Sequence, residues 1–122
     1  MKIQIDHYTP VPTVSVIGCE QSFGCERLEI AFNGEWKRLK KYVTFYFSED
    51  ESDSITIEYK HLPIVIPQRA YNKAGLCRYV IKGESKKKRI VSKTGYLRIL
   101  KAPDELLLHD EAPLTKKRGV QS

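Results

Sequence analysis

The feature that most constrains this chain is its period-two alternation of apolar and polar residues, repeated in eight short segments. "KIQIDHY" sets Ile3 and Ile5 on one face, and "TVSVIG" does the same for Val14 and Val16. "ERLEIAF" turns Leu28, Ile30 and Phe32 inward, and "YVTFYF" separates Val43, Phe45 and Phe47 from Tyr42, Thr44 and Tyr46. Ile55, Ile57 and Tyr59 alternate in "SITIEYK", and Leu62, Ile64 and Ile66 in "LPIVIP". Cys77, Tyr79 and Ile81 follow in "LCRYVIK", then Leu97 and Ile99 in "YLRILK". Successive side chains of a strand point to opposite faces, so this pattern predicts strands with one buried face. Helical spacing is confined to one stretch, "PQRAYNKAG", where Pro67 opens and Gly75 closes a turn.

The separators are turn material: "NGE" at Asn33, "SEDESDS" at Ser48, "KGESKKK" at Lys82 and "KTG" at Lys93. Short strands at such spacing predict an all-β domain, a sandwich or a barrel. At 122 residues the chain suits one core. We place that domain at residues 1–102. Residues 103–122 differ, with two prolines, an acidic half and a basic end, and read as an arm ordered by a partner. Leu106, Leu107 and Leu108 are consecutive, so one face of a short helix cannot hold them all. They are expected to dock on a neighbouring subunit, with Asp104, Glu105, Asp110 and Glu111 against the neighbour's basic "KGESKKKR" tip in a head-to-tail contact.

Charge and motifs exclude more than they assert. No apolar run has the length of a membrane span, and the N-terminal segment has no signal-peptide h-region. A formal charge of +6 favours anionic partners at long range, but the cations fall in separate blocks. Trp36 sits among Lys37, Arg38, Lys40 and Lys41. This is either a base-stacking site or a connection whose Trp36 and Leu39 cap the core edge beneath a solvated lysine face, and we favour the second. Lys86, Lys87, Lys88 and Arg89 read as a charged hairpin tip able to dock an acidic partner; the spacing of a phosphate-binding loop is absent. Cys19, Cys25 and Cys77 are odd in number and lack zinc-ligand spacing, so packed, reduced thiols are expected. His7, His61 and His109 lie in separate segments, and the acidic loop lacks the glycine and final glutamate of a calcium loop. No catalytic residue, cofactor or metal is expected.

One arrangement of segments is similar to a known family. A Gly-Glu-Trp turn leads into "LKKYVTFYF"; a proline-ended "IVIP" strand follows; then "CRYVIKG" and a closing "GYLRILKA". Over Glu26 to Ala102 this resembles the small β-sandwich domain of bacteriophage tail and baseplate proteins, including the N-terminal module of upper baseplate proteins. The resemblance implies an immunoglobulin-like β-sandwich of about seven or eight short antiparallel strands. It also implies a non-enzymatic structural or adaptor role in a virion assembled in the host cytoplasm. Its partners would be other virion proteins, in a homo-oligomer or multi-copy ring, with neither nucleic acid nor membrane. In that family a long fibre region follows the module. A chain of this length is therefore expected to be a tail, baseplate or collar adaptor, a fibre anchor or a capsid decoration protein. Tyr42 and Tyr46, opposite Val43 and Phe45, would form a protein-binding patch unless a second sheet covers them. The competing class is a small, basic, OB-like nucleic-acid-binding barrel.

Overall fold

A computed structural model describes residues 1–103. The domain is an all-β sandwich of two sheets. The strands are β1 (Lys2–Asp6), β2 (Thr9–Val11), β3 (Val14–Cys19), β4 (Arg27–Ala31), β5 (Lys40–Tyr46), β6 (Ser54–Tyr59), β7 (Ile64–Val65), β8 (Gly75–Glu84), β9 (Arg89–Val91) and β10 (Gly95–Leu100). The smaller sheet has the order β2-β1-β4-β7. The larger runs β3-β10-β8-β5-β6, with β9 also pairing β8. Two short 3₁₀ helices, Gly34–Trp36 and Gln68–Tyr71, mark the "NGE" turn and the Pro67 segment.

The core is the set of inward faces that the alternation predicts. Ile3 and Ile5 on β1 and Leu28 and Ile30 on β4 join one buried cluster with Val43, Phe45, Tyr79, Ile81, Leu97 and Ile99 of the larger sheet. Trp36 closes one end of it, fully buried, and its indole N–H donates to the His7 carbonyl at 2.6 Å. Leu39 is buried beside it. The β5–β6 and β8–β9 hairpins turn within "SEDESDS" and "KGESKKK", although Lys82, Gly83 and Glu84 still belong to β8.

Several details depart from the sequence reading. There are ten strands among the described residues, and two pairings are parallel: β1 with β4 and β3 with β10. Each of these pairs is joined by a long stretch of intervening chain, which is what parallel pairing requires. Val14 and Val16 face outward, not into the core. The β3–β10 register slips between Arg98 and Ile99, where Val16 and Gly18 are the successive partners. Ile17 is the extra residue of that bulge, and it turns inward while the two valines remain outside. Of "LPIVIP", only Ile64 and Val65 form a strand; Ile66 is buried beyond its end, and Leu62 is 65% exposed. Ile55 is 40% exposed although the alternation turns it inward. It lies on β6, the edge strand of the larger sheet, towards the end that pairs with Tyr46 rather than Lys41. Tyr59, at the other end of the same strand, is buried, and its hydroxyl takes the Ile30 N–H at 3.0 Å. Finally, "TPV" forms a strand that its proline argues against; β2 is an edge strand, where proline is tolerated.

Candidate functional site

The outer face of the larger sheet is built by the residues that alternate with its core. Tyr42, Thr44 and Tyr46 of β5 stand beside Lys82, Val80 and Arg78 of β8 in register, and Arg78 in turn pairs with Tyr96 of β10. Tyr96 and Arg98 pair with the outward Val14 and Val16. Among the described residues no second sheet lies over Tyr42 and Tyr46, yet both are only half exposed. Cations of the neighbouring strand cover them: the Arg78 guanidinium lies 4.6 Å from the Tyr46 ring centre, and Lys82 Nζ 5.9 Å from that of Tyr42. Arg78 also donates to the Ser48 carbonyl at 3.2 Å, which fixes its guanidinium. The Thr44 and Thr56 hydroxyls are hydrogen-bonded at 2.8 Å. At one end the face dips into a shallow groove lined by Tyr46, Ser48, Asp50, Lys73, Arg78 and Tyr96.

The other end of the sandwich is a basic corner. The two cationic blocks, separate in sequence, meet there. Lys37 and Arg38 share one shallow depression with Lys87 and Lys88, floored by Gly34 and Leu39. Lys88 Nζ donates to the Glu35 carbonyl at 3.5 Å. Lys86, Lys87, Lys88 and Arg89 are all exposed, and Arg89 reaches Glu84 at 3.5 Å. Lys41 is different: its ammonium donates to the Leu39 carbonyl at 3.2 Å and lies 5.0 Å from the Phe32 ring centre. Burial lowers its pKa. Gly83 belongs to packing. A Cβ there would stand 2.8 Å from Trp36 Cε3 and 3.0 Å from Leu39 Cδ1, so the glycine lets the indole lie on the β8 backbone.

The remaining candidates do not converge. His7 and Glu35 pair at 3.0 Å on the corner, and that hydrogen bond raises the His7 pKa. His61 is exposed between β6 and β7. Among the described residues no three His, Cys, Asp or Glu side chains gather as a metal site would need. No described helix is long and apolar enough to cross a membrane. The cysteines are not uniformly packed: Cys77 is buried, with its thiol pushed up to about 11 by desolvation, whereas Cys25 is exposed and Cys19 half-buried. Cys25 Sγ lies 3.6 Å from the Tyr71 hydroxyl, which donates to the Ile17 carbonyl. Leu106, Leu107, Leu108 and His109 lie outside the described residues.

Strand alternation identifies Tyr42 and Tyr46 as outward residues. It does not reveal Arg78, Lys82 or Tyr96 as their neighbours, because strand order is not written in any one segment. Fold and surface together define a small β-sandwich with an aromatic-cationic face on its larger sheet and a basic end. No family model, curated protein or solved structure matches the chain.

Proposed function

We propose that this domain is a non-enzymatic adaptor that binds another protein across the outer face of its larger sheet. We place it in a phage particle, as a tail, baseplate, collar or fibre-anchor component. The particle assignment rests on the resemblance over Glu26 to Ala102. The observation that carries the binding reading is the bracing of Tyr42 and Tyr46 by Lys82 and Arg78 on a face that no sheet among the described residues covers. Aromatic residues and arginine held in a fixed geometry are the side chains enriched at protein interfaces, and they lose little further freedom on binding.

The same mixture of cations and aromatics favours a second reading, single-stranded nucleic acid on the sheet face. Two features weigh against it. Lys82 and Arg78 already lie over the Tyr42 and Tyr46 rings, where a base would stack. Trp36, the aromatic within the basic block, is fully buried.

Mass spectrometry of purified particles made by the genome encoding this chain tests the assignment. The chain should be present in stoichiometric copies, and Tyr46→Ala with Arg78→Glu should abolish incorporation while circular dichroism stays unchanged. Absence of the chain from particles overturns the particle role. Retention of the double variant overturns the face. Binding to a single-stranded oligonucleotide with a steep loss on adding salt replaces this reading with the second.

A further inference from the structure

We infer that copies of this chain bind one another head to tail, the acidic segment after Pro103 of one copy occupying the basic corner of the next. This does not depend on the outer-face reading, since it uses neither Tyr42 nor Tyr46. It rests on where the chain leaves the fold, where the corner lies, and how the two match.

The exit point is fixed. The Glu20 carboxylate accepts the backbone N–H of Ala102 at 3.1 Å and that of Ala74 at 3.3 Å. This holds the end of the domain beside the start of β8, and Ile99 of β10 pairs with Gly75. The basic corner is at the other end of β8, past Glu84. The ten residues of β8 separate the two; at about 3.3 Å per residue that is roughly 30 Å.

The segment begins with its charge. Asp104 and Glu105 follow Pro103 directly, then Leu106 to Leu108, then Asp110 and Glu111. A fully extended chain advances at most about 3.6 Å per residue. From Pro103, Glu105 then reaches about 7 Å and Glu111 about 29 Å. Within one copy Asp104, Glu105 and the three leucines fall short of the corner, whatever path the segment takes. A second copy has no such limit.

The match is one of pattern as well as sign. The corner is a depression floored by Leu39 and lined by four cations, Lys37, Arg38, Lys87 and Lys88, against one acid, Glu35; the alkyl stems of the cations widen its apolar area. In its sequence three leucines lie between two acidic pairs, and the basic Lys116, Lys117 and Arg118 follow only after Pro113. Apolar side chains fill the floor while carboxylates meet the cationic rim. Donor and acceptor surfaces sit at opposite ends of one molecule, so the contact is heterologous and propagates into a ring or a filament.

The test uses the full chain in sedimentation velocity, at low and moderate salt, with two charge-reversal variants. One carries Lys86→Glu, Lys87→Glu and Lys88→Glu; the other Asp104→Lys, Glu105→Lys, Asp110→Lys and Glu111→Lys. The parent should self-associate, less so with salt. Each variant alone should associate about a hundredfold more weakly, since facing like charges cost several kcal/mol. Mixed, the corner variant still offers its segment and the segment variant its corner, so they should form a one-to-one complex and nothing larger. Circular dichroism confirms that both fold. A parent that remains monomeric across the concentration range overturns the inference. So does a mixture that forms no complex, and so does a monomer whose thermal stability falls with the segment reversal, which would place the segment on its own domain.

Discussion

Replacing Gly83 by alanine isolates the role of the backbone beneath Trp36. In an ordinary strand the change is favourable by about 0.5–1 kcal/mol, because glycine loses more freedom on folding. Here the new Cβ would stand 2.8 Å from Trp36 Cε3 and 3.0 Å from both Trp36 Cζ3 and Leu39 Cδ1. Relief needs a ring displacement of roughly 0.8 Å to restore ordinary carbon contact near 3.6 Å. The ring is not free to give, for its N–H is held by the His7 carbonyl at 2.6 Å and no part of it is exposed. Overpacking of this kind costs about 1–3 kcal/mol, and weakening a buried indole hydrogen bond adds about 1 kcal/mol. Set against the strand gain, Gly83→Ala should destabilise the domain by about 1–3.5 kcal/mol. Trp36 is the single tryptophan, so urea unfolding followed by its emission reports both stability and the ring's surroundings. Gly83→Ala in a Trp36→Phe background, followed by circular dichroism, should cost at least about 1 kcal/mol less, because the two sites are in contact. A Gly83→Ala protein as stable as the parent, with unshifted emission, would refute the packing argument.

Phe45 is fully buried between the sheets, and Phe45→Ala should lose about 3–5 kcal/mol in the same urea assay; a loss under about 1 kcal/mol would mean its face is inverted. The Tyr79 hydroxyl is buried without a partner among the described residues, its pKa pushed up to about 12 by desolvation, so Tyr79→Phe should raise the unfolding midpoint, worth about 1–2 kcal/mol. His7 is raised above its ordinary 6.5 by Glu35, so the pair's stabilising effect is full below that value and is lost as pH rises through the raised one; a proton NMR titration should show Glu35→Gln moving His7 back down. Timed alkylation read by mass should modify exposed Cys25 first and buried Cys77 only on unfolding; equal rates would contradict their placement.

Much of the fold is legible in single segments because one buried face leaves a period-two trace. β1, β4, β5, β8 and β10 present the inward residues that their alternation predicts, and Trp36 and Leu39 close the core edge. What was not legible depends on relations between segments. The parallel pairings of β1 and β3 are set by which distant strand each meets. Val14 and Val16 face outward because they pair with the outward Tyr96 and Arg98 of a strand more than 80 positions away, which their own segment does not name. Gly83 reads in sequence as part of a lysine-rich turn, yet it lies within β8, and the indole on its backbone is what requires it. The two basic blocks become one corner only because β5 pairs with β8 so that Lys40 faces Glu84.

The parallel seam between β3 and β10 has a consequence for the order in which the molecule can be made. Its paired residues, such as Val14 and Tyr96, lie more than 80 positions apart. At about 5–20 residues per second, a ribosome takes on the order of 4–16 s between them. Throughout that interval β3 has no partner, and once β8 is made its edge stays bare until β10 arrives. Leu97 and Ile99, core residues of that last strand, are also missing. The nascent chain therefore holds the β5–β6 hairpin and, after β8 is made, the longer-range β5–β8 pairing, but not a closed domain. Such non-local pairing slows folding as a whole. It also gives the unfinished chain two open strand edges with which to pair wrongly, so crowded synthesis should favour aggregation more than the stability of the finished domain would suggest.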